Sequence, residues 1–385
     1  MLSYYYSPHY SGSAIQARNL SLHLQTRGVQ PFVVSANLTG SAEYELVDGI
    51  PVYRLPVLKY EPLQVLSFML NLAMFLIRRR NSYDVIHAHG TLQHTVASLV
   101  ARLLGKGALL KVAMAHSDID FKGQGRLWGR ANRYMVSRFD RFIATSRIIQ
   151  DEFRQHSFAT GRVHLMPNGV DTDTFRPCAT REEKSQLRAS LGLPDRPTLV
   201  FVGIIIGRKN VDLALRAFRE VRRQQIDAQI VLVGPLPERS DARAWRYYEE
   251  LLEYIEREGL KDSVIFTGLQ PTAASYLRAG DIFLFPSKQE GMPNALLEAM
   301  SSGLPSVASR ISGTEDLIEQ GSNGYMFPLD DEPAFGRQLV ELLRNPELTQ
   351  RVGAQARQFV ERSYSLRALS ASYEKIYRDL IEAHA

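Results

Sequence analysis

Short apolar runs recur along the chain, each closed by Gly, Pro, Asn, Asp or Ser and each followed by a stretch whose apolar positions return every three or four residues. The runs at 31–35, 52–55, 83–88, 109–115, 141–145 and 163–166 fit buried strands, and the stretches at 15–26, 63–77 and 91–104 fit the helices between them. The opening residues, MLSYYYSPHYSGSA, read as the end of a first strand and the loop after it, so that strand is expected to be short. A second series follows, with strands at 198–202, 229–233, 263–267, 282–285, 305–308 and 324–327 and a helix at 212–223. Strands alternating with helices predict parallel, doubly wound sheets. The charged, turn-rich segment 180–197 separates the series, and 385 residues exceed one ordinary core. The expectation is therefore an α/β chain of two Rossmann-like domains, residues 1–177 and 178–364, facing one another across a cleft. A helix at 365–385 closes the chain, with Leu366, Leu369, Tyr373, Ile376, Tyr377 and Leu380 on one face.

The second series contains one stretch with more than packing in it, FLFPSKQEGMPNALLEAMSSG at 283–303. An apolar strand breaks at Pro286, a loop carries Glu290 and Gly291, and a helix starts near Pro293 and stops at Gly303. In α/β sheets, ligands sit beyond the carboxyl ends of strands, and exposed amides at a helix start attract anions. Two glutamates, Glu290 and Glu298, flank that turn. A second loop, Gly203-Ile204-Ile205-Ile206-Gly207-Arg208-Lys209-Asn210, follows a strand and carries adjacent cations, which suit a diphosphate because they neutralise charge growing on it as it departs. A third, Ser312-Gly313-Thr314-Glu315-Asp316, is again small-residue loop into helix.

Composition narrows the partners. One cysteine, Cys178, excludes an internal disulfide framework and fits a reducing compartment, and no secretory leader is visible. The net charge of +5 gathers in part at Arg78-Arg79-Arg80 and at Arg126, Arg130, Arg133, Arg138 and Arg141, interleaved with Leu127, Trp128, Tyr134 and Met135. No zinc pattern or RNP-like run accompanies them, so an anionic membrane surface fits better than nucleic acid. The apolar segment 63–77 falls below the roughly 18 residues of a spanning helix and reads as a packed one. His87 and His89 end a strand on one face without neighbouring carboxylates, which favours structural histidines over a metal site.

These pieces together resemble the retaining glycosyltransferases of family 4, also called glycosyl transferases group 1, which have the GT-B fold. PSKQEGMPNALLEAMSSGLPSVAS is similar to that family's signature, including its two glutamates separated by seven residues; GRKN, SGTED and NGYMF follow the family's order. In the first half DVIHAHG, the strand ending at His116, DRFIATS and PNGVDTDTF are similar to recurring family segments. The resemblance implies transfer of a sugar from a UDP- or GDP-linked donor to a glycan or lipid-linked acceptor, with retention at the anomeric carbon and neither metal nor cofactor. It implies a cytoplasmic enzyme, peripheral on the inner face of the plasma membrane, in polysaccharide, lipopolysaccharide or exopolysaccharide assembly. Carried over by motif, Glu298 binds the ribose hydroxyls and Glu290 faces the donor sugar at the reacting side with His116. Gly12, Arg208, Lys209, Gly291, Met292, Pro293, Asn294 and Leu297 line the donor. The closing helix is expected to pack back on the first domain.

Two positions depart from the family pattern: Ile204 stands where arginine is common, leaving Arg208 to supply that charge, and Ser11 stands where the first loop glycine is common. Three other readings compete. Asp118-Ile119-Asp120 and Asp171-Thr172-Asp173 suit a metal-dependent transferase with a single Rossmann-like domain. A GT-B sugar-nucleotide epimerase would share the same donor residues. A catalytically silent homologue could serve as a membrane-associated accessory subunit.

Overall fold

The strands sort their residues by parity, one set to each face of a sheet, and helices cover both faces. This is the arrangement of a computed structural model, which describes residues 1–7, 11–60, 63–90, 92–113, 126–156 and 160–385. The chain divides into two compact units, one formed by Met1–Gly169 with Leu366–Ala385 and one by Val170–Ser365.

In the first unit the strands are β1 (Leu2–Ser3), β2 (Val33–Asn37), β3 (Tyr44–Val47), β4 (Ile50–Pro56), β5 (Val85–His89), β6 (Gly107–Val112), β7 (Arg141–Ala144) and β8 (Val163–Leu165). They lie in the order β3-β4-β2-β1-β5-β6-β7-β8, parallel except for β3 against β4. Ile86, Ala88, Leu110 and Phe142 face a core shared with Phe68, Leu72 and Leu76 of the helix Leu63–Arg78. On the opposite face Leu109 and Ile143 meet Leu20 and Leu24 of the helix Gly12–Gln25, and Tyr373, Ile376, Tyr377 and Leu380 of the closing helix Leu366–Glu382. His87 and His89 lie buried beneath that helix with their rings stacked at 4.3 Å, and His87 Nδ1 shares a 2.7 Å hydrogen bond with the Tyr377 hydroxyl. Burial drives both imidazoles well below their usual pKa, so the neutral rings act as packing groups.

The strand β3 is absent from the sequence expectation. Its residues alternate between exposed and half-buried at the sheet edge, and its signal was the Asp48-Gly49 pair. With φ of 52° and 79°, these two form the tight turn that pairs Val47 with Ile50.

The second unit has β9 (Thr198–Val202), β10 (Gln229–Val233), β11 (Val264–Gly268), β12 (Ile282–Phe285), β13 (Ser306–Ser309) and β14 (Tyr325–Phe327), all parallel in the order β11-β10-β9-β12-β13-β14. Leu199, Phe201, Ile282 and Leu284 face the helices Val211–Arg223 and Glu332–Arg344; Val200, Phe283 and Phe285 face Asn294–Ser301 and Pro346–Ser363.

The boundary expected at 177/178 is corrected to Gly169/Val170. The Val170 N–H donates to Tyr364 O at 2.9 Å, and Phe175 O accepts from Ser301 Oγ and Arg357, so 170–177 is bonded into the second unit. The segment read as a connection holds the helix Arg181–Ser190. Thr180 caps it by accepting from Glu183 N, and Arg188 anchors it to Ala279 O and Asp281.

Gly353 shows how tightly the second unit is packed: a Cβ there would stand 2.1 Å from Gly303 O, a backbone atom. Gly353→Ala should lower the urea midpoint by the equivalent of about 1–3 kcal/mol, as overpacking does, whereas alanine at the exposed glycine Gly192 should change it only by the cost of its positive φ.

Candidate active site

The strand order of the second unit reverses between β9 and β12. That is the place where loops leave on opposite sides and open a crevice at the carboxyl ends of the strands. The β9 loop turns through a short 3-10 segment, Gly207–Lys209, to Asn210, whose φ of 57° starts the helix Val211–Arg223. The β12 loop runs from Pro286 to Pro293, which is the N-cap of the helix Asn294–Ser301 rather than its first residue. Two hydrogen bonds join the loops: Lys288 N to Arg208 O at 2.9 Å, and the buried Asn210 Nδ2 to Pro286 O at 3.0 Å.

At their junction one carboxylate oxygen serves two cations. Glu290 Oε1 lies 2.7 Å from Lys209 Nζ and 2.7 Å from Arg208 Nη1, and Arg208 Nη1 also donates to Gln289 O. Lys209 is nearly covered, passing over Gly203 with its ammonium 5.9 Å from the centre of the Phe285 ring. Arg208 is 45% exposed and reaches the same oxygen from the solvent side. Two cations against one carboxylate leave net positive charge beside a helix start whose first amides have no intrahelical carbonyl.

The third loop closes over this one. A Cβ on Gly313, in the helix Ser312–Glu315, would stand 2.6 Å from Gly291 O and 3.1 Å from Glu290 O, so only glycine lets the loops meet. Sequence reasoning singled out this loop without a role, and Asn210 only as a neighbour of Lys209. A small residue at a helix start and an amide beside the cations were the available signals.

Glu298 lies one turn into the helix Asn294–Ser301, half-buried, with no hydrogen bond or ion pair to its carboxylate among the described residues. The surrounding protein strips its hydration and pushes its pKa up to about 7. Met292 and Pro293 are also buried, while Gly291 and Asn294 keep part of their surface. Leu297 corrects the expectation of a donor-lining side chain. It is fully buried in the core with Leu296 and Met300, and its N–H is bonded to Pro293 O.

Gly12 is in the first unit as the first residue of its helix. Ser11 is that helix's N-cap, accepting from Ala14 N at 3.1 Å, which gives the departure from glycine a local purpose. Ile204 is 38% exposed, and the cation that reaches Glu290 from the solvent side is Arg208. His116, Asp118 and Asp120 lie outside the described residues. Asp171 builds a turn, accepting from Asp173 N and Thr174 Oγ1.

Comparison with known proteins adds an independent line. Residues 10–174 match the family described as Glycosyltransferase Family 4, and residues 196–345 match Glycosyl transferases group 1. N-acetyl-alpha-D-glucosaminyl L-malate synthase of Bacillus anthracis is 23% identical, over 97% of this chain and 95% of its own. Among solved structures, sucrose-phosphate synthase from Thermosynechococcus elongatus gives a TM-score of 0.80 at 21% identity, covering 97% of this chain and 94% of its own. Anabaena Alr3699/HepE in complex with UDP-glucose gives 0.78 at 19% identity, covering 98% of each chain. Both establish the fold as GT-B, two α/β domains with parallel sheets.

The raised pKa of Glu298 has a signed consequence. Its protonated form suits the fold, so this stability is complete below the usual carboxylate range and is lost as pH rises toward about 7. Glu298→Gln keeps the shape without the charge. Urea unfolding should show it more stable than the parent at pH 8 by about 1–3 kcal/mol and equal at pH 4.

Proposed function

The chain belongs to the group 1 glycosyltransferases of family 4, and from that premise we propose that it is a hexosyltransferase using a UDP- or GDP-linked sugar with retention at the anomeric carbon. The acceptor is a glycan or lipid-linked glycan at the cytoplasmic face of a membrane, in the assembly of a cell-surface polysaccharide, lipopolysaccharide or exopolysaccharide.

The observation that carries this reading is the pair of cations held on one oxygen of Glu290 at the switch of the sheet. When the bond from the anomeric carbon to the diphosphate breaks, its electron pair goes to a phosphate oxygen. Lys209 and Arg208 would neutralise that charge, and the amides at the start of the helix Asn294–Ser301, which follows Glu290 in the same loop, would assist them. Two fixed cations supply what a divalent ion supplies elsewhere, which supports transfer without a metal. Glu298, unpaired and poorly solvated, suits two donated hydrogen bonds from the ribose hydroxyls, which favour its ionised form. Glu290, itself held by the cations, presents its second oxygen to hydroxyls of the donor sugar. Gly12 and His116, from the first unit, are assigned to the donor by the family pattern.

Glu290 also occupies the cations, and this separates binding from turnover. Glu290→Gln should lower turnover at least about 100-fold, the scale of a lost electrostatic contact in the transition state. It should leave nucleoside diphosphate binding equal or tighter, because Lys209 and Arg208 are released. Lys209→Ala should weaken both, and the exposed Arg208→Ala should do so less. A panel of nucleotide sugars read by thermal shift identifies the donor. Nucleotide diphosphate release with acceptor, unchanged by chelator, establishes the reaction. No release with any donor that protects the chain would establish a silent homologue instead, and unchanged kinetics in both cation variants would remove the diphosphate role.

A further inference from the structure

The helix Leu63–Arg78 is apolar on both sides, and only one side is used. Phe68, Leu72 and Leu76 are buried in the core of the first unit. At roughly 100° per residue, Leu63, Leu66, Leu70, Met74 and Ile77 fall on the opposite side as one continuous ridge. They are between 38% (Ile77) and 59% (Leu70) exposed, where a surface helix ordinarily carries polar groups. The ridge extends sideways. The helix Val96–Leu104, packed beside it, exposes Leu99 and Leu103, and the next, Arg126–Val136, exposes Leu127 and Trp128.

Charge on this face has one sign. The three helices contain no Asp or Glu. Arg78, Arg80, Arg102 and Arg130 are exposed and have no carboxylate partner among the described residues. Arg79 lies against the Tyr53 ring, and the nearby Asp84 is already matched by Lys106 at 3.8 Å. An apolar ridge with an arginine rim, on three helices that carry no acid, fits a bilayer surface bearing anionic lipids. The leucines would enter the acyl boundary while the guanidinium groups stay at the phosphates. With 16 residues the helix is about 24 Å long, short of a roughly 30 Å hydrocarbon core, and its other side is committed to the sheet.

We infer that the outer ridge of Leu63–Arg78, rimmed by Arg78, Arg80, Arg102 and Arg130, docks the first unit in the plane of an anionic membrane. This rests on and deepens the membrane-facing part of the proposed function, and adds the outer side of 63–77, expected to be simply a packed helix, to the basic 126–141 region.

Co-sedimentation with lipid vesicles tests it on the full chain. The parent should bind phosphatidylcholine–phosphatidylglycerol vesicles and bind phosphatidylcholine alone far less. A ridge variant, Leu66→Gln with Leu70→Gln and Met74→Gln, should lose at least about tenfold in partition. A rim variant, Arg78→Ser with Arg80→Ser, Arg102→Ser and Arg130→Ser, should lose a similar factor and its dependence on anionic lipid. Both should keep the parent's circular dichroism and its thermal shift with the donor nucleotide sugar. Should the ridge variant fail to fold, the rim variant decides alone. Binding by either folded variant equal to the parent would overturn the assignment. So would a parent that ignores vesicles but forms a dimer the ridge variant cannot form. Vesicle binding by a chain that no nucleotide sugar protects would count against the transferase reading and leave the docking surface standing.

Discussion

The candidate site of the second unit depends on one shared oxygen. Lys209 and Arg208 follow β9, and Glu290 follows β12; these strands are neighbours only because the sheet's order reverses between them. An ammonium as covered as that of Lys209 is costly to hold without an anion, and the Glu290 carboxylate supplies one. The same contact fixes the two loops against each other, aided by Asn210 and Lys288. Under the proposed function, a diphosphate would exchange one anion for another at a charge that is always compensated.

Much of this could be read from the chain because it is local. Apolar runs of strand length and adjacent cations after a strand are short-range patterns, and the strands of the second unit fall within a residue or two of expectation. The Thr180 cap was equally local, yet the charged run after it read as a connection. What could not be read depends on strand order. That Arg208 and Lys209 meet Glu290 on one oxygen follows from β9 and β12 being adjacent, which periodicity does not encode. Leu297 stands in the motif beside Glu298, but the helix turns its side chain into the core with Leu296 and Met300. The β3 strand was missed although Asp48-Gly49 announced it, because an edge strand with one solvated face shows no apolar run. The ridge on Leu63–Arg78 illustrates the reverse error: an apolar segment looks equally buried on every side until the sheet beneath it shows which side is taken.

The first unit closes itself with sequence from the far end of the chain. Tyr373 and Tyr377 cover His87 and His89, neutral because they are buried, and Leu380 lies so close to Gly107 that a Cβ there would stand 2.8 Å away. A core layer of stacked aromatic and imidazole rings thus holds a helix that sequence order alone would assign to the second unit.

Where the second unit begins and ends is a single patch of backbone: Val170 bridges Ser365, and its N–H is held by Tyr364 O. The first unit therefore receives the second as one loop enters a scaffold, through adjacent entry and exit points. Cutting the gene at those two codons and rejoining Gly169 to Leu366 would leave each part with its own complete sheet. A chain made this way can exchange its second unit as a cassette, with the first unit and its closing helix carried over unaltered.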